Sequence, residues 1–210
     1  MPNYCRNIIR VTSGDFRTVA DFMKSEERGF DFNNLVQMPK VFYQWNGVSD
    51  LDEKGAAFWL VLYQGNDKEE ERAITEITTL RDDLICYVIH NGYKRFLAYL
   101  ETGYIDSYYW AQDKWGTKWN AVDIVIQPER QTFVFNTAWS EPTPIFEALC
   151  RQFPTHTFDI KYADFEGGWF SGEGIGQGGE YRDTCYKHGK GERGAEIMEY
   201  VENYKLQDNE

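Results

Sequence analysis

Hydrophobic residues near both ends of the chain alternate with polar ones, which is the pattern of strands covered on one face. In the first such stretch, Cys5, Ile9 and Val11 fall on one side of the backbone. Two later stretches are joined by a short polar turn that begins at Pro128, so they predict a β-hairpin. The alternation predicts four strands in all, at residues 5–12, 119–127, 132–139 and 158–162.

Helical spacing of apolar residues separates these strands at two places. Ser13 is a suitable N-cap for a helix that runs to about Ser25. Pro144 favours the first turn of a second helix, and Pro154 stops it. The order strand, helix, strand, strand, helix, strand predicts an α+β fold with the split βαβ antiparallel sheet of the ferredoxin-like class.

The middle third of the chain departs from this alternation and predicts a mainly helical insertion. Its clearest element starts at Asn66, with Glu69 at capping-box spacing, and carries an apolar stripe that stops at Asn91–Gly92. A shorter helix is predicted over Tyr93–Glu101.

A glycine-rich stretch, 167–179, is predicted to connect two extended pieces, 168–171 and 180–186. From Gly194 onward, apolar spacing predicts a short amphipathic tail helix. We therefore expect a single domain over 1–210, with a ferredoxin-like core at 3–39 and 116–165, a helical insertion at 40–115, and a hairpin and tail-helix extension at 166–210.

Composition narrows the classes of partner and compartment. The formal net charge of −12 disfavours binding to a phosphate backbone, and Lys and Arg are scattered between carboxylates. The longest apolar run, Ala56–Tyr63, is far shorter than the roughly 20 residues that span a bilayer. The first residues lack the pattern of a signal peptide, and the four cysteines, at 5, 86, 150 and 185, form no close pair. We expect a cytoplasmic protein of a bacterial or phage-infected cell that has no membrane partner.

Three segments resemble one known family. They are Pro2–Asn7, the Trp115–Ala121 segment WGTKWNA, and the strand Phe135–Ser140 with Pro142 and Pro144 after it. Together they resemble the YubB-type ferredoxin-like family of plasmids, phages and genomic islands. The resemblance covers residues 2–40 and 115–175, and implies a fold and a genomic setting but no catalytic residues.

Patterns that could carry chemistry have simpler structural interpretations. Gly174–Gly179 matches G-x-G-x-x-G, but no helix is predicted after it, which favours a flexible hairpin turn over a nucleotide loop. His90, His156 and His188 have no other ligand at metal-binding spacing. No nucleophile has a legible base nearby. We therefore assign no catalytic residue, no metal site and no cofactor.

Two residue sets remain as candidate binding surfaces. Aromatic and polar side chains around the sheet connections could line a groove, and the alternative is that the rings seal the insertion onto the sheet. Carboxylates near the glycine-rich hairpin could form an acidic rim. The groove candidates are Trp115, Lys118, Trp119, Asn120, Trp139 and Trp169, and the rim candidates are Glu166, Glu173, Glu180 and Asp183.

These surfaces lead to several functional hypotheses. The first is a non-enzymatic accessory protein of a mobile element that binds a protein partner through an acidic, aromatic surface. A specific version is a counter-defence protein whose carboxylates imitate nucleic-acid phosphates. An enzyme assembled from Glu166, Glu173 and Asp183, and a sheet that binds single-stranded nucleic acid, are the rivals.

Overall fold

A computed structural model describes residues 3–45, 49–65, 67–164, 166–187 and 191–204. The chain divides into two compact units, Met1–Gln37 with Ala111–Glu210, and Met38–Trp110. The expectation of one domain with an insertion at 40–115 stays a prediction.

The described residues contain six strands and seven α-helices. The strands are β1 (Tyr4–Ser13), β2 (Val122–Gln127), β3 (Thr132–Ala138), β4 (Thr157–Asp164), β5 (Phe170–Gln177) and β6 (Glu180–Lys187). The helices are α1 (Phe16–Met23), α2 (Asp50–Gln64), α3 (Asp67–Thr78), α4 (Asp82–Thr102), α5 (Ser107–Lys114), α6 (Thr143–Gln152) and α7 (Glu192–Glu202).

The first unit contains one antiparallel sheet with the order β2-β3-β1-β4-β5-β6. Its first four strands, with α1 and α6 between them, follow the split βαβ plan, which confirms the ferredoxin-like α+β fold predicted from the sequence. β5 and β6 extend the sheet beyond β4.

The central strand, β1, is buried on both faces. Ile9 lies opposite Phe133 on one side and Ile160 on the other, and all three side chains are fully buried. On the same face, the Phe16 ring of α1 stacks on Phe133 with ring centroids 4.7 Å apart. Phe146 of α6 packs against Tyr162 on this face as well, and we call it the α1/α6 face.

The opposite face of the sheet is covered by α7. Ile197 and Val201 of this helix pack on Ile8, Val134 and Ala163. The tail helix therefore begins two residues before the predicted Gly194 and covers the sheet.

The first helix starts at a different residue from the one predicted. Ser13 is the last residue of β1, and Asp15 is the N-cap, because its carboxylate accepts a hydrogen bond of 3.0 Å from the Arg17 amide. The helix ends at Met23, before the predicted Ser25.

Most of the glycine-rich stretch is a strand, so the hairpin turn is shorter than predicted and the first extended piece is longer. β5 spans Phe170–Gln177, and only Gly178 and Gly179 form the turn, both with positive φ. Gly172, Gly174 and Gly176 occupy every second position of β5, so all three face the α1/α6 side of the sheet.

Tyrosine side chains occupy the space that a Cβ would need at two of these glycines. A Cβ on Gly172 would lie 2.3 Å from Cζ of Tyr162, and one on Gly174 would lie 2.4 Å from the Tyr181 hydroxyl. The missing side chains let two tyrosine rings lie directly on the strand.

The second unit is helical, but its helix boundaries differ from those predicted. The apolar stripe expected to run unbroken to Asn91 is divided between α3 and α4, because α3 ends at Thr78 and Arg81 is the N-cap of α4. Asn66, the predicted start, lies outside the described residues.

Gly92 lies inside α4 and does not end a helix. A Cβ on Gly55 of α2 would lie 2.2 Å from the Val88 carbonyl and 2.8 Å from Gly92 Cα, so the two helix backbones touch here. The Trp59 indole also donates to the Ile89 carbonyl at 2.9 Å.

None of the helices in the described ranges has the length and apolarity that a membrane-spanning helix requires.

Replacing a strand glycine tests the interpretation of β5. We expect Gly172→Ala to lower the free energy of unfolding by about 1–3 kcal/mol, because the added methyl group overlaps the buried Tyr162 ring. Urea denaturation measures this change. Ile175→Ala, at an exposed position of the same strand, is the control and should change stability by less than about 0.5 kcal/mol. Equal stability of Gly172→Ala and the natural protein would contradict the packing argument.

Candidate functional site

One end of the sheet gathers connections from distant parts of the chain. β1 begins at this end, β3 and β4 finish there, and β5 starts there, because the strands are antiparallel. The Trp139 amide donates to the Asn3 carbonyl at 2.9 Å, and the Tyr4 amide donates to the Glu166 carboxylate at 3.0 Å. We call this region, with Lys118, Trp119, Trp139, Glu166 and Trp169, the tryptophan end.

A lysine lies between two tryptophan rings at the tryptophan end. Lys118 Nζ is 5.1 Å from the centroid of the Trp119 ring and 4.8 Å from that of Trp139. Cation–π contacts of this kind contribute about 0.5–1 kcal/mol at exposed sites. The ammonium group therefore contributes a weak attraction to each ring.

Trp139 has an unusual backbone conformation. Its φ of +69° lies in the left-handed region, which costs a bulky residue on the order of 1–3 kcal/mol, and its side chain is 47% exposed. Hydrogen bonds around it hold the conformation, since Thr117 Oγ1 donates to the Ala138 carbonyl at 2.9 Å and Ser140 Oγ donates to the Gly116 carbonyl at 2.6 Å. The exposed ring is therefore attached to a backbone conformation that the surrounding loop supports.

The remaining groove candidates have different positions. Trp115 is buried and donates from its indole to the Val36 carbonyl at 2.8 Å. Asn120 is also buried, accepts from the Phe32 amide and donates to Asp31 at 2.7 Å. Neither side chain can line a surface groove, which corrects the sequence prediction. Trp169 is 58% exposed at the start of β5.

Asp31 takes part in the loop that Asn120 supports. Although burial opposes it, hydrogen bonds from Asn120 and Asn33 lower the pKa of the Asp31 carboxyl. A charged Asp31 therefore fixes the loop that follows α1, and we assign both residues to the structure of that loop.

The four predicted rim carboxylates do not form one rim. Asp183 pairs with Gly174, the neighbour of Glu173, so Glu173 and Asp183 project from opposite faces of the sheet. Glu173 and Glu180 lie on the face that carries α7, and Asp183 lies on the α1/α6 face. Glu166 instead belongs to the tryptophan end.

Each of these hairpin carboxylates has a partner. Glu173 accepts from Arg193 Nε at 2.7 Å, and this bond lowers the pKa of its carboxyl. Glu180 is bonded to Arg182 at 2.7 Å, and Asp183 accepts from the Tyr162 hydroxyl at 2.6 Å. The first two line an open groove of about 730 Å³.

A cluster that the sequence did not reveal lies between α6 and the outer strands. It contains Glu141, Tyr162, Tyr181, Asp183 and Cys185, which we call the Glu141 cluster. Burial, and secondarily the charge of Asp183, raises the pKa of the Glu141 carboxyl. Burial likewise raises the pKa of the Tyr162, Tyr181 and Cys185 side chains. These members are far apart in sequence, so no spacing motif could have identified them.

In the Glu141 cluster, burial raises the pKa of Glu141, Tyr162, Tyr181 and Cys185 and so opposes their ionisation. A thiol whose pKa is raised is a poor nucleophile, since the thiolate is the reactive form. The Tyr181 hydroxyl is buried, with no hydrogen-bond partner among the described residues. We therefore assign the cluster a structural role and no catalytic one.

Histidine and metal chemistry find no support in the described ranges. His156 packs against the Phe153 and Phe158 rings, His90 is exposed on α4, and His188 lies outside the described residues. No group of three or more His, Cys, Asp or Glu side chains that could hold a metal ion occurs in the part of the chain that the structure describes.

A match to one family model supports the ferredoxin-like fold. Residues 114–206 match the family model described as a ferredoxin-like domain in Api92-like protein. A crystal structure of protein Api92 from Yersinia pseudotuberculosis matches with 11% sequence identity and a TM-score of 0.46, covering 91% of this chain and 99% of that one. No curated protein matches the sequence.

The raised pKa of Glu141 predicts a pH-dependent stability. Folding strengthens proton binding at this carboxyl, so its contribution is fully present at acidic pH and is lost as pH rises through the raised pKa. The free energy of unfolding of Glu141→Gln, minus that of the natural protein, should therefore increase as the pH rises from 4 to 7. Urea denaturation at both values measures the difference. Exposed Glu129→Gln is the control, and a gain that is the same at both pH values would contradict the assignment.

Proposed function

We propose that this protein is a non-enzymatic binding module that recognises a basic protein partner through the tryptophan end. The carrying observation is Trp139, whose ring is about half exposed on a backbone held in the left-handed region. Strain of this kind persists where the surrounding structure enforces it, and functional sites are enriched in it. Tryptophan is also enriched among the residues that contribute most to protein interfaces.

Charge supports a basic partner. The net charge of −12 draws a cationic surface toward the protein at long range. At the tryptophan end itself, Glu166 is close to Tyr4, beside the backbone that bonds to Trp139. Lys118 keeps its positive charge between the two rings, so the preference for a basic partner rests on the net charge of the whole chain.

The genomic setting in this proposal comes from sequence. The resemblance to YubB-type proteins supports an accessory protein of a mobile element acting in the bacterial cytoplasm. Both this family resemblance and the cytoplasmic location stay predictions.

The rival hypotheses receive less support. The hairpin carboxylates Glu173 and Glu180 are each bonded to an arginine, which weakens an imitation of a phosphate row at this hairpin. An enzyme site joining Glu173 and Asp183 is disfavoured by their positions on opposite faces of the sheet. α7 covers the sheet face on which single-stranded nucleic acid would stack its bases.

A capture experiment with matched variants tests the proposed surface. We expect Trp139→Ala to weaken retention of the basic partner roughly thirtyfold, the equivalent of the about 2 kcal/mol typical of an interface tryptophan. Immobilised protein, nuclease-treated bacterial lysate, and elution by increasing salt measure this, with retained proteins identified by mass spectrometry.

The control replaces an exposed ring outside the tryptophan end. Tyr63 is 68% exposed in the second unit, so Tyr63→Ala should retain the same partner as the natural protein. Equal retention by Trp139→Ala, or retention insensitive to salt, would contradict the proposal.

A further inference from the structure

The outer edge of β6 is a regular strand edge that is open to pairing. β6 pairs with β5 over eight residues, from Glu180 opposite Gln177 to Lys187 opposite Phe170, without a register shift. Among the described residues, no strand pairs with its other side. Such an edge presents unpaired backbone amides and carbonyls in a row.

The opposite edge of the sheet is built differently. The pairing of β2 with β3 shifts register between Val122 and Val125, and Asp123 there has a φ of +51°. A bulge of this kind disrupts pairing with a further strand. In contrast, β6 lacks both a bulge and a proline.

An acidic and a basic residue of β6 lie at equal distances on either side of Cys185. Asp183, Cys185 and Lys187 alternate, so their side chains project from the same face of the strand. If two copies of β6 paired around a two-fold axis through Cys185, Asp183 of each copy would lie opposite Lys187 of the other copy. The interface would therefore contain two such pairs. An axis through Asp183 would instead bring two aspartates together, and opposed like charges destabilise a strand pair.

We propose that β6 is a dimerisation edge, which pairs antiparallel with β6 of a second copy of this chain around Cys185. The sheet then continues through both copies, and the two Asp183–Lys187 pairs set its register. Tyr162 donates to one carboxylate oxygen of Asp183, which leaves the other oxygen to accept from the partner's Lys187. This interface uses the sheet edge and is independent of the binding function proposed for the tryptophan end.

Cys185 provides a direct readout of the register. Residues opposite each other in an antiparallel pair have Cα atoms about 4.5–5.5 Å apart, which suits the roughly 4.4–6.8 Å that disulfides span. An axis through Thr184 would set the two Cys185 residues on a diagonal about 7–8 Å apart, outside that range. Oxidative cross-linking through Cys185 therefore identifies the proposed register.

Charge-reversed variants test the dimer. In analytical ultracentrifugation of the full chain at about 100 µM, we expect the natural protein to be a dimer. Lys187→Asp alone and Asp183→Lys alone should each be monomeric, because each would oppose like charges. A mixture of the two should form a heterodimer, since both pairs are then complementary.

Cross-linking in the Cys86→Ser background removes the other exposed cysteine. A covalent cross-link that forms in this background, and does not form when Cys185→Ser is added, supports the proposal. A natural protein that stays monomeric at this concentration would overturn it and identify the β6 charges as protection against pairing. A dimer unchanged by Lys187→Asp, which leaves the Tyr162–Asp183 bond intact, would also overturn it.

Discussion

The position of β1 at the centre of the sheet is the constraint on which the rest of the first unit depends. This strand forms its backbone hydrogen bonds with β3 on one side and with β4 on the other, both far away in sequence. A slip of one residue would turn every side chain of β1 to the opposite face. Buried Asn7 opposes such a slip, because its amide donates to Thr137 Oγ1 on β3.

This central strand also completes the domain that the comparison identified. Residues 114–206 contain β2 to β6 but not β1, which lies between β3 and β4. The N-terminal segment is therefore required for a continuous ferredoxin-like sheet. It also places Asn3 and Tyr4 where they bond to Trp139 and Glu166, so the tryptophan end is a consequence of the same pairing.

Sequence patterns predicted the elements whose signal is local. Alternation identified the first four strands, because one covered face imposes a period of two. The same reasoning misplaced the glycine-rich strand and the break near Gly92, where glycine is required by a neighbour and not by a turn. Gly172 admits the Tyr162 ring, and Gly92 admits the backbone of α2 at Gly55.

Site residues were likewise predicted where the sequence signal is local, and missed where distant residues meet. The tryptophans at 119 and 139 were identified as surface candidates because they lie beside strand connections, and Lys118 does lie between them. Trp115 resembled them in sequence, yet the fold buries it. The Glu141 cluster carries no local signal at all, because its members meet only when α6 packs over the outer strands.

Hydrogen exchange of the free and partner-bound protein tests the central claim most directly, namely that the tryptophan end is the recognition surface. Backbone amides in 116–121, 138–141 and 166–169 should exchange more slowly in the complex, while those of α3 and α4 keep their rates. Protection confined to α3 and α4, with none at the three loop segments, would contradict the account and assign recognition to the helical unit.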